Sequence, residues 1–352
     1  MTYYRYTSLI KLAIDIMIKA GYPENRAQIT AETLVEADLM GHFTHGLNLF
    51  NPYLEDVVKG GMKLDGDPKV INDNGANITW SGEYQSGPWL VRKAMDIAFE
   101  RIKEHSVITV AIGQCHHIGC LAAYLEYATD KNLMMLLASS DPKNSTVAPY
   151  GGRTGAYSPN PLAVGIPTEG EPIIIDISMS STANGLVGLK KASGEKLPQK
   201  WLLGTDGKPT DDPNTFFETP PSTILPLGGL ETGYKGFGLG LIIDMLTSGL
   251  AGYGRADNPT NWGASVYFQV FDPEGFGGAD NFKKQAQHLV NTCLSSEPFD
   301  HENHVRIPGS RALKLRDQRK KEGLPLSEAI VNSLKKWSNK FGIDMSDYDL
   351  KV

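Results

Sequence analysis

Helical periodicity occupies the two ends of this chain and short β-branched runs occupy its middle. That segregation constrains the fold more than any single motif. Near the start, Ser8 to Ala20 places Leu9, Leu12 and Ile16 on one face. Gly21-Tyr22-Pro23 breaks the pattern, and Pro23 suits the first turn of a second helix running to about Leu39. A third stretch, Leu47 to Lys59, stops at Gly60-Gly61. At the other end, Ser327 to Phe341 reads as a helix capped by Ser327 with Glu328 in its first turn. Between them the spacing predicts strands at 69–71, 77–80, 107–113, 133–138, 162–166, 173–177 and 265–271. Helices are expected at 87–104, after His117, at 235–250 and at 279–294. Residues 139–161 form a long irregular stretch, usually a functional feature inside a compact domain. The expected arrangement is a mixed α/β chain: helical residues 1–75, a central α/β part over 76–295, and residues 296–352 packing back on the first helices.

Two histidine segments carry the chemistry. Glu36 to Phe50 leaves its helical pattern at Gly41-His42-Phe43-Thr44-His45-Gly46. Histidine exchanges a proton near neutral pH at low cost. The same residues also suit a helix C-terminus, where glycine ends the helix and histidine meets the negative end of the dipole. The second segment follows the apolar run Val107 to Gly113 as Gln114-Cys115-His116-His117-Ile118-Gly119-Cys120. Groups just beyond a strand and before a helix commonly line a cleft, which places His117 well for proton transfer. Cysteines and histidines this close also invite zinc. Beyond Cys115 and Cys120 only Cys293 remains, so no tetrahedral set is complete and buried free thiols are expected.

The 352 residues suffice for a large core, in two domains or one elaborate one. A net charge of −6 argues against non-specific nucleic-acid binding, and the basic residues between Arg306 and Lys321 read as a solvated helix face. Three cysteines cannot form a disulfide framework, which fits a reducing cytoplasm. No apolar run reaches membrane-spanning length, and Lys11 and Asp15 interrupt any secretory signal at the start. No strand feeds a G-x-G-x-x-G loop and no Walker A sequence is present, so a Rossmann domain is not expected. Gly233 to Gly240 has the wrong spacing for one. It offers either an anion site with Lys235 at a helix N-terminus or close packing through Gly236, Gly238 and Gly240.

Five segments in order resemble the malate/L-lactate dehydrogenase family of type 2. They are ADLMGHFTHG, HHIGCLAAYLEYA, VAPYGGRTGAYSPNPLAVGIP, IIIDISMSSTANG and GYKGFGLGLIIDMLTSGLAG. The resemblance implies a non-Rossmann NAD(P)-binding domain with a mixed, largely antiparallel sheet, beside a helical layer from both termini. It implies hydride transfer between NAD or NADP and a small 2-hydroxy acid, or its 2-oxo or imino counterpart, in a homodimer with the site near the subunit interface; with no complete ligand set, no metal is expected. Carried over by motif, His117 is the proton acceptor and His45 a second acid/base or orienting group. Thr44, Asn48 and Ser140 would meet the substrate. Asp176, Ile177, Ser178, Lys235, Gly236, Asn261, Gly309, Ser310 and Arg311 would meet the cofactor. One position departs from the pattern. Where the family usually carries an arginine suited to a substrate carboxylate, this chain has Leu49, leaving Arg153 or Lys143 as substitutes or a different substrate. Two other classes stay open: a ligand-binding member that has lost activity, and a zinc-dependent hydrolase built on Cys115, His117 and Cys120.

Overall fold

The computed structural model describes residues 2–300 and 302–352. Helix α1 (Tyr6–Lys19) buries Leu9, Leu12, Ala13, Ile16 and Met17, the stripe its periodicity called for. Pro23 sits at the N-cap of α2 (Glu24–Leu39), one residue before the helix. Helix α2 is covered on most of its surface, because α1, α4 (Gly87–Arg101) and α9 (Ser310–Glu322) all pack on it. A single 3-10 turn, Leu47–Leu49, leads into α3 (Phe50–Lys59), which ends at Gly60 in the left-handed conformation.

The two ends of the chain share one apolar cluster. Leu9, Leu12, Ile16, Phe50 and Tyr53 meet Leu326, Ile330, Leu334 and Trp337, the last three from α10 (Glu328–Phe341). The Ser327 hydroxyl caps α10 by accepting from the Ile330 N–H. Strand β1 (Tyr3–Tyr4) pairs antiparallel with β12 (Leu324–Pro325) and closes the same layer.

Seven strands form the central sheet, in the order β2 (Lys69–Asp73), β3 (Asn77–Ser81), β4 (Val107–Cys115), β11 (Ala264–Phe271), β5 (Met134–Ser140), β6 (Pro161–Ile166), β7 (Ile173–Ser178). Only β3–β4 is parallel, joined by the crossover helix α4. Every other pair is antiparallel, so the sheet is mixed and largely antiparallel. Strand β11 sits at the centre of the sheet, with Val266, Phe268 and Val270 fully buried on one face. Phe268 sits opposite Val110 on one side and Leu137 on the other. The mixed α/β architecture expected above is therefore present.

Three short strands, β8 (Leu202–Leu203), β9 (Pro209–Thr210) and β10 (Thr223–Ile224), make a second small sheet. Helix α6 (Asn184–Ser193) contributes Val187 to the cluster that also holds Leu202 and Ile224. Helix α7 (Gly229–Asp244) runs into a π-helical turn, Met245–Gly249. Helix α8 (Ala279–Leu294) buries none of its residues. Helix α9 buries only Leu313, yet its arginines do more than face water. Arg319 donates to the carbonyl oxygens of Asp38 and Leu39 at the C-terminus of α2, and Arg316 pairs with Glu36 and Glu126.

The helix expected after His117 is replaced by a 3-10 turn at Leu121–Tyr124 and the single-turn α5 (Glu126–Thr129). The Ala122 N–H, in the first turn of that segment, donates to Asp176 Oδ2 of β7 at 2.9 Å and ties the segment to the sheet. Among the described residues, no helix is long and apolar enough to cross a membrane.

Candidate active site

The first histidine turn is held from beneath by a buried carboxylate. Asp38, in the last turn of α2, is fully buried and accepts from the Leu47 N–H at 2.6 Å. A Cβ on Gly46 would lie 2.4 Å from Asp38 Cγ, so only glycine fits between Asp38 and the turn. Gly41 has φ +90°, which turns the chain away from α2. Burial raises the Asp38 pKa to about 7, against the Leu47 N–H and Arg319, which both favour the charged form. Its Oδ1 has no hydrogen-bond partner. Above this platform His45 Nδ1 lies 2.8 Å from the Thr44 hydroxyl.

The second histidine stands at the end of β4. The His117 Nδ1 accepts from the Gly119 N–H at 3.1 Å and lies 2.8 Å from the Tyr53 hydroxyl. Tyr53, on α3, also donates to the His117 carbonyl oxygen at 3.0 Å. The Gly119 N–H contact favours a lone pair on Nδ1 in the resting ring, while the Tyr53 hydroxyl can accept from a protonated Nδ1 as well as donate to it. Gly87 at the start of α4 supports the same segment from behind. A Cβ there would sit 2.3 Å from His116 O and 2.4 Å from His117 O.

The two rings face each other, with centroids 5.7 Å apart and planes inclined by 23°. Trp262 flanks His117 at 5.2 Å and touches the buried His116 edge-on at 4.8 Å. His116 Nε2 lies 3.0 Å from Asp56 Oδ2. Burial holds the pKa of His45 below the ordinary imidazole value, with His42 adding to the effect and Asp176 opposing it. Burial holds His117 well below, and the neighbouring His45 and His116 push the same way. Both rings are therefore neutral at neutral pH, as a proton acceptor must be.

These histidines line a cleft of about 690 Å³. Thr44, His45, His117, Ser140, Asp176, Ile177 and Ser178 all border it, so seven of the expected residues come together from four separate segments. Leu49 borders it too. Ser140 is turned to the hydroxyls of Thr247 and Ser248, at 2.7 and 3.1 Å. The structure does not bring the other expected residues to this cleft. Asn48 lies in the 3-10 turn beside it. Lys235 is exposed on α7, and a Cβ on Gly236 would strike the Leu227 backbone at 2.5 Å, so this glycine serves close packing. Asn261 borders a small adjacent cavity with Tyr84 and Lys143. Gly309 caps α9 with φ +89° and presses on Ile174, and Ser310 and Arg311 form the first turn of that helix.

Several site residues gave no signal in the sequence. Tyr53 stands seven positions after Gly46 within a helical apolar stripe, where it reads as core. Trp262 ends an irregular stretch between a short 3-10 turn and β11. Thr182 borders the cleft with its buried hydroxyl unpartnered. Asp38 carried the one available hint, a charged residue on an otherwise apolar helix face.

Cys115, His117 and Cys120 do not converge as a metal site. Among the described residues, the group of three possible ligands that does converge is His42, Cys120 and Asp176, with ligand atoms within 4.8 Å of one another. Within that group Asp176 Oδ2 accepts from the Ala122 N–H at 2.9 Å and from the Cys120 thiol at 3.6 Å.

Comparison with known proteins follows the same lines. The family model described as malate/L-lactate dehydrogenase matches residues 4–335. The chain is 30% identical to the L-sulfolactate dehydrogenase of Methanocaldococcus jannaschii, over 96% of this chain and 97% of that protein. It is also 30% identical to the (2R)-3-sulfolactate dehydrogenase (NADP(+)) of Chromohalobacter salexigens, over 93% and 95%. The solved structure of the sulfolactate dehydrogenase from M. jannaschii superimposes with a TM-score of 0.87 at 28% identity, covering 99% of both chains.

Proposed function

This chain belongs to the malate/L-lactate dehydrogenase family, and we propose that it moves a hydride between NAD or NADP and a 2-hydroxy acid, or the matching 2-oxo or imino acid. His117 and His45 are its acid/base groups. Oxidoreductase action on a CH–OH group follows from the family and from relatives whose names are those of hydroxy-acid dehydrogenases. The observation that carries the reading is the pair of facing, neutral imidazoles on the wall of a cleft that also exposes Asp176, Ile177 and Ser178.

The cleft fits a cofactor. Its volume lies in the usual range for ligand sites, and the Thr182 hydroxyl, buried without a partner, borders it. Asp176 to Ser178 and Thr182 would hold the cofactor, with Gly309 to Arg311 next to β7 extending the same face. Lys235 and Asn261, off the cleft, would meet only its outlying parts. When bound, the cofactor supplies or accepts the hydride.

His117 handles the proton. With Nδ1 engaged inside the protein, Nε2 is the nitrogen available to substrate. In the reducing direction the ring, protonated on both nitrogens, gives its Nε2 proton to the substrate oxygen and is left neutral with its proton on Nδ1; in the oxidising direction the Nε2 lone pair takes the hydroxyl proton back. The Tyr53 hydroxyl, between Nδ1 and the His117 carbonyl, can donate to Nδ1 or turn and accept from it. It thus accommodates the ring in either tautomer and when charged. His45, oriented by Thr44, faces the same space as the second acid/base or orienting group. Thr44 and Ser140 contribute neutral hydroxyls for substrate, and Asn48 lies in the 3-10 turn beside the cleft.

The protein works in the cytoplasm as a homodimer on this reading. Support for the dimer comes from α7 and the turn after it, which leave Leu230, Tyr234, Leu241, Ile242 and Met245 exposed. The testing experiment is fluorescence titration with NADH and NADPH, followed by cofactor oxidation against a panel of 2-oxo and 2-imino acids. Failure of both cofactors to bind would refute the function.

A further inference from the structure

We propose that the substrate of this chain carries at most one negative charge and bears an apolar side chain that seats on Leu49 and Trp262. This deepens the function proposed above and rests on it. Among the described residues bordering the cleft there is no lysine and no arginine. The two cations that could have compensated for Leu49 lie elsewhere. Arg153 donates to the Thr205 carbonyl at 3.2 Å on the surface, and Lys143 borders the small adjacent cavity. Arg255 lies behind the wall, already paired with the buried Asp244 at 3.2 Å and donating to the Asn144 carbonyl at 2.6 Å.

The charges that do face the cleft are of the wrong sign for a dianion. Asp141 and Asp176 both border it, and the histidines between them are held neutral by burial. A second anionic group on the substrate would be desolvated beside carboxylates with no cation to meet it. One carboxylate can be met by neutral donors. The Asn184 oxygen accepts from the Thr146 hydroxyl at 2.8 Å, which leaves its NH₂ to donate. A Cβ on the neighbouring Gly185 would lie 3.1 Å from Thr44 Cβ, so the Asn184 segment and the Thr44 hydroxyl meet at one place.

The positive argument for an apolar side chain is the wall next to His117. Trp262 lies 5.2 Å from its ring, and Leu49 and Trp262 both pack on the terminal helical core while bordering the cleft. Apolar surface there gains by being covered. Two relatives carry the name of 3-carbon sulfolactate, a dianion, so this chain would differ from them in the charge its substrate presents.

The test is steady-state reduction by the full-length protein with whichever of NADH and NADPH binds. 4-Methyl-2-oxopentanoate is compared with oxaloacetate and 3-sulfopyruvate. The expected result is a kcat/KM for the apolar monoanion about tenfold or more above either dianion, the size of one missing charged hydrogen bond. Leu49→Arg should raise kcat/KM for oxaloacetate about tenfold and lower it for the apolar acid. Preference of the wild type for either dianion overturns the proposal, whatever the variant does. So does cofactor binding without turnover of the apolar acid. Absence of cofactor binding is a separate result and sinks the function itself.

Discussion

Replacing Asp38 by asparagine should make the protein more stable in mild alkali and leave it nearly unchanged in mild acid. The side chain is fully buried against Gly46, and asparagine keeps both its shape and an oxygen for the Leu47 N–H. In the folded chain its pKa is raised from the ordinary 3.8 to about 7. A raised carboxyl pKa means that the folded state holds a proton the unfolded state has lost. Stability contributed by that proton is present at low pH and is lost as pH climbs from about 4 to 7. Between pH 5 and pH 8 roughly two units of that window are crossed, at about 1.4 kcal/mol per unit. The wild type should therefore lose about 2.5 kcal/mol relative to Asp38→Asn, because all other titrations are common to both proteins. Denaturant unfolding of the two proteins at pH 5 and pH 8 measures the double difference. A difference that stays constant between the two pH values would show that the carboxyl is already ionised at pH 5 and that the platform under His45 is an ion, refuting the argument.

Three further outcomes follow from the site. His117→Ala should lower turnover by about a hundred- to ten-thousandfold while NADH or NADPH still quenches protein fluorescence as before; turnover near that of the wild type would move the proton role to His45 or water. In the oxidising direction, the acid limb of kcat/KM should lie below pH 6.5, because burial and neighbouring imidazoles hold His117 down; a limb centred at or above 6.5 would contradict the buried, crowded ring. Of the three cysteines, Cys115 and Cys120 are buried with thiol pKa values pushed up by desolvation, whereas Cys293 is partly exposed. A thiol reagent should therefore titrate one group in the native protein and three in denaturant, and two or three fast-reacting native thiols would argue for an open His117 turn.

Much of this protein was legible before any coordinates. Period 3.6 marked α1, α3 and α10, and β-branched runs marked β4, β7 and β11, because those patterns state which face of an element must leave water. The breaks at Gly41 to Gly46 and after Cys115 were equally plain as ends of elements, although a helix C-terminus accounts for the first as readily as a site does. What such local patterns lack is any statement of what lies opposite. Tertiary structure alone brought His45 within 5.7 Å of His117 across 72 positions of sequence. It also turned Asp176 toward the Ala122 N–H, a contact between β7 and the segment after His117 that no local pattern states. Gly236 could be read as an anion cradle or as a packing contact until Leu227 was seen against it. Tyr53 and Asp38 looked like one more aromatic in a core stripe and one misplaced charge. Their roles came from partners on α2, α3 and the β4 turn. A hydrogen bond or a desolvated carboxyl is a property of two or more segments at once, and only packing decides which segments those are.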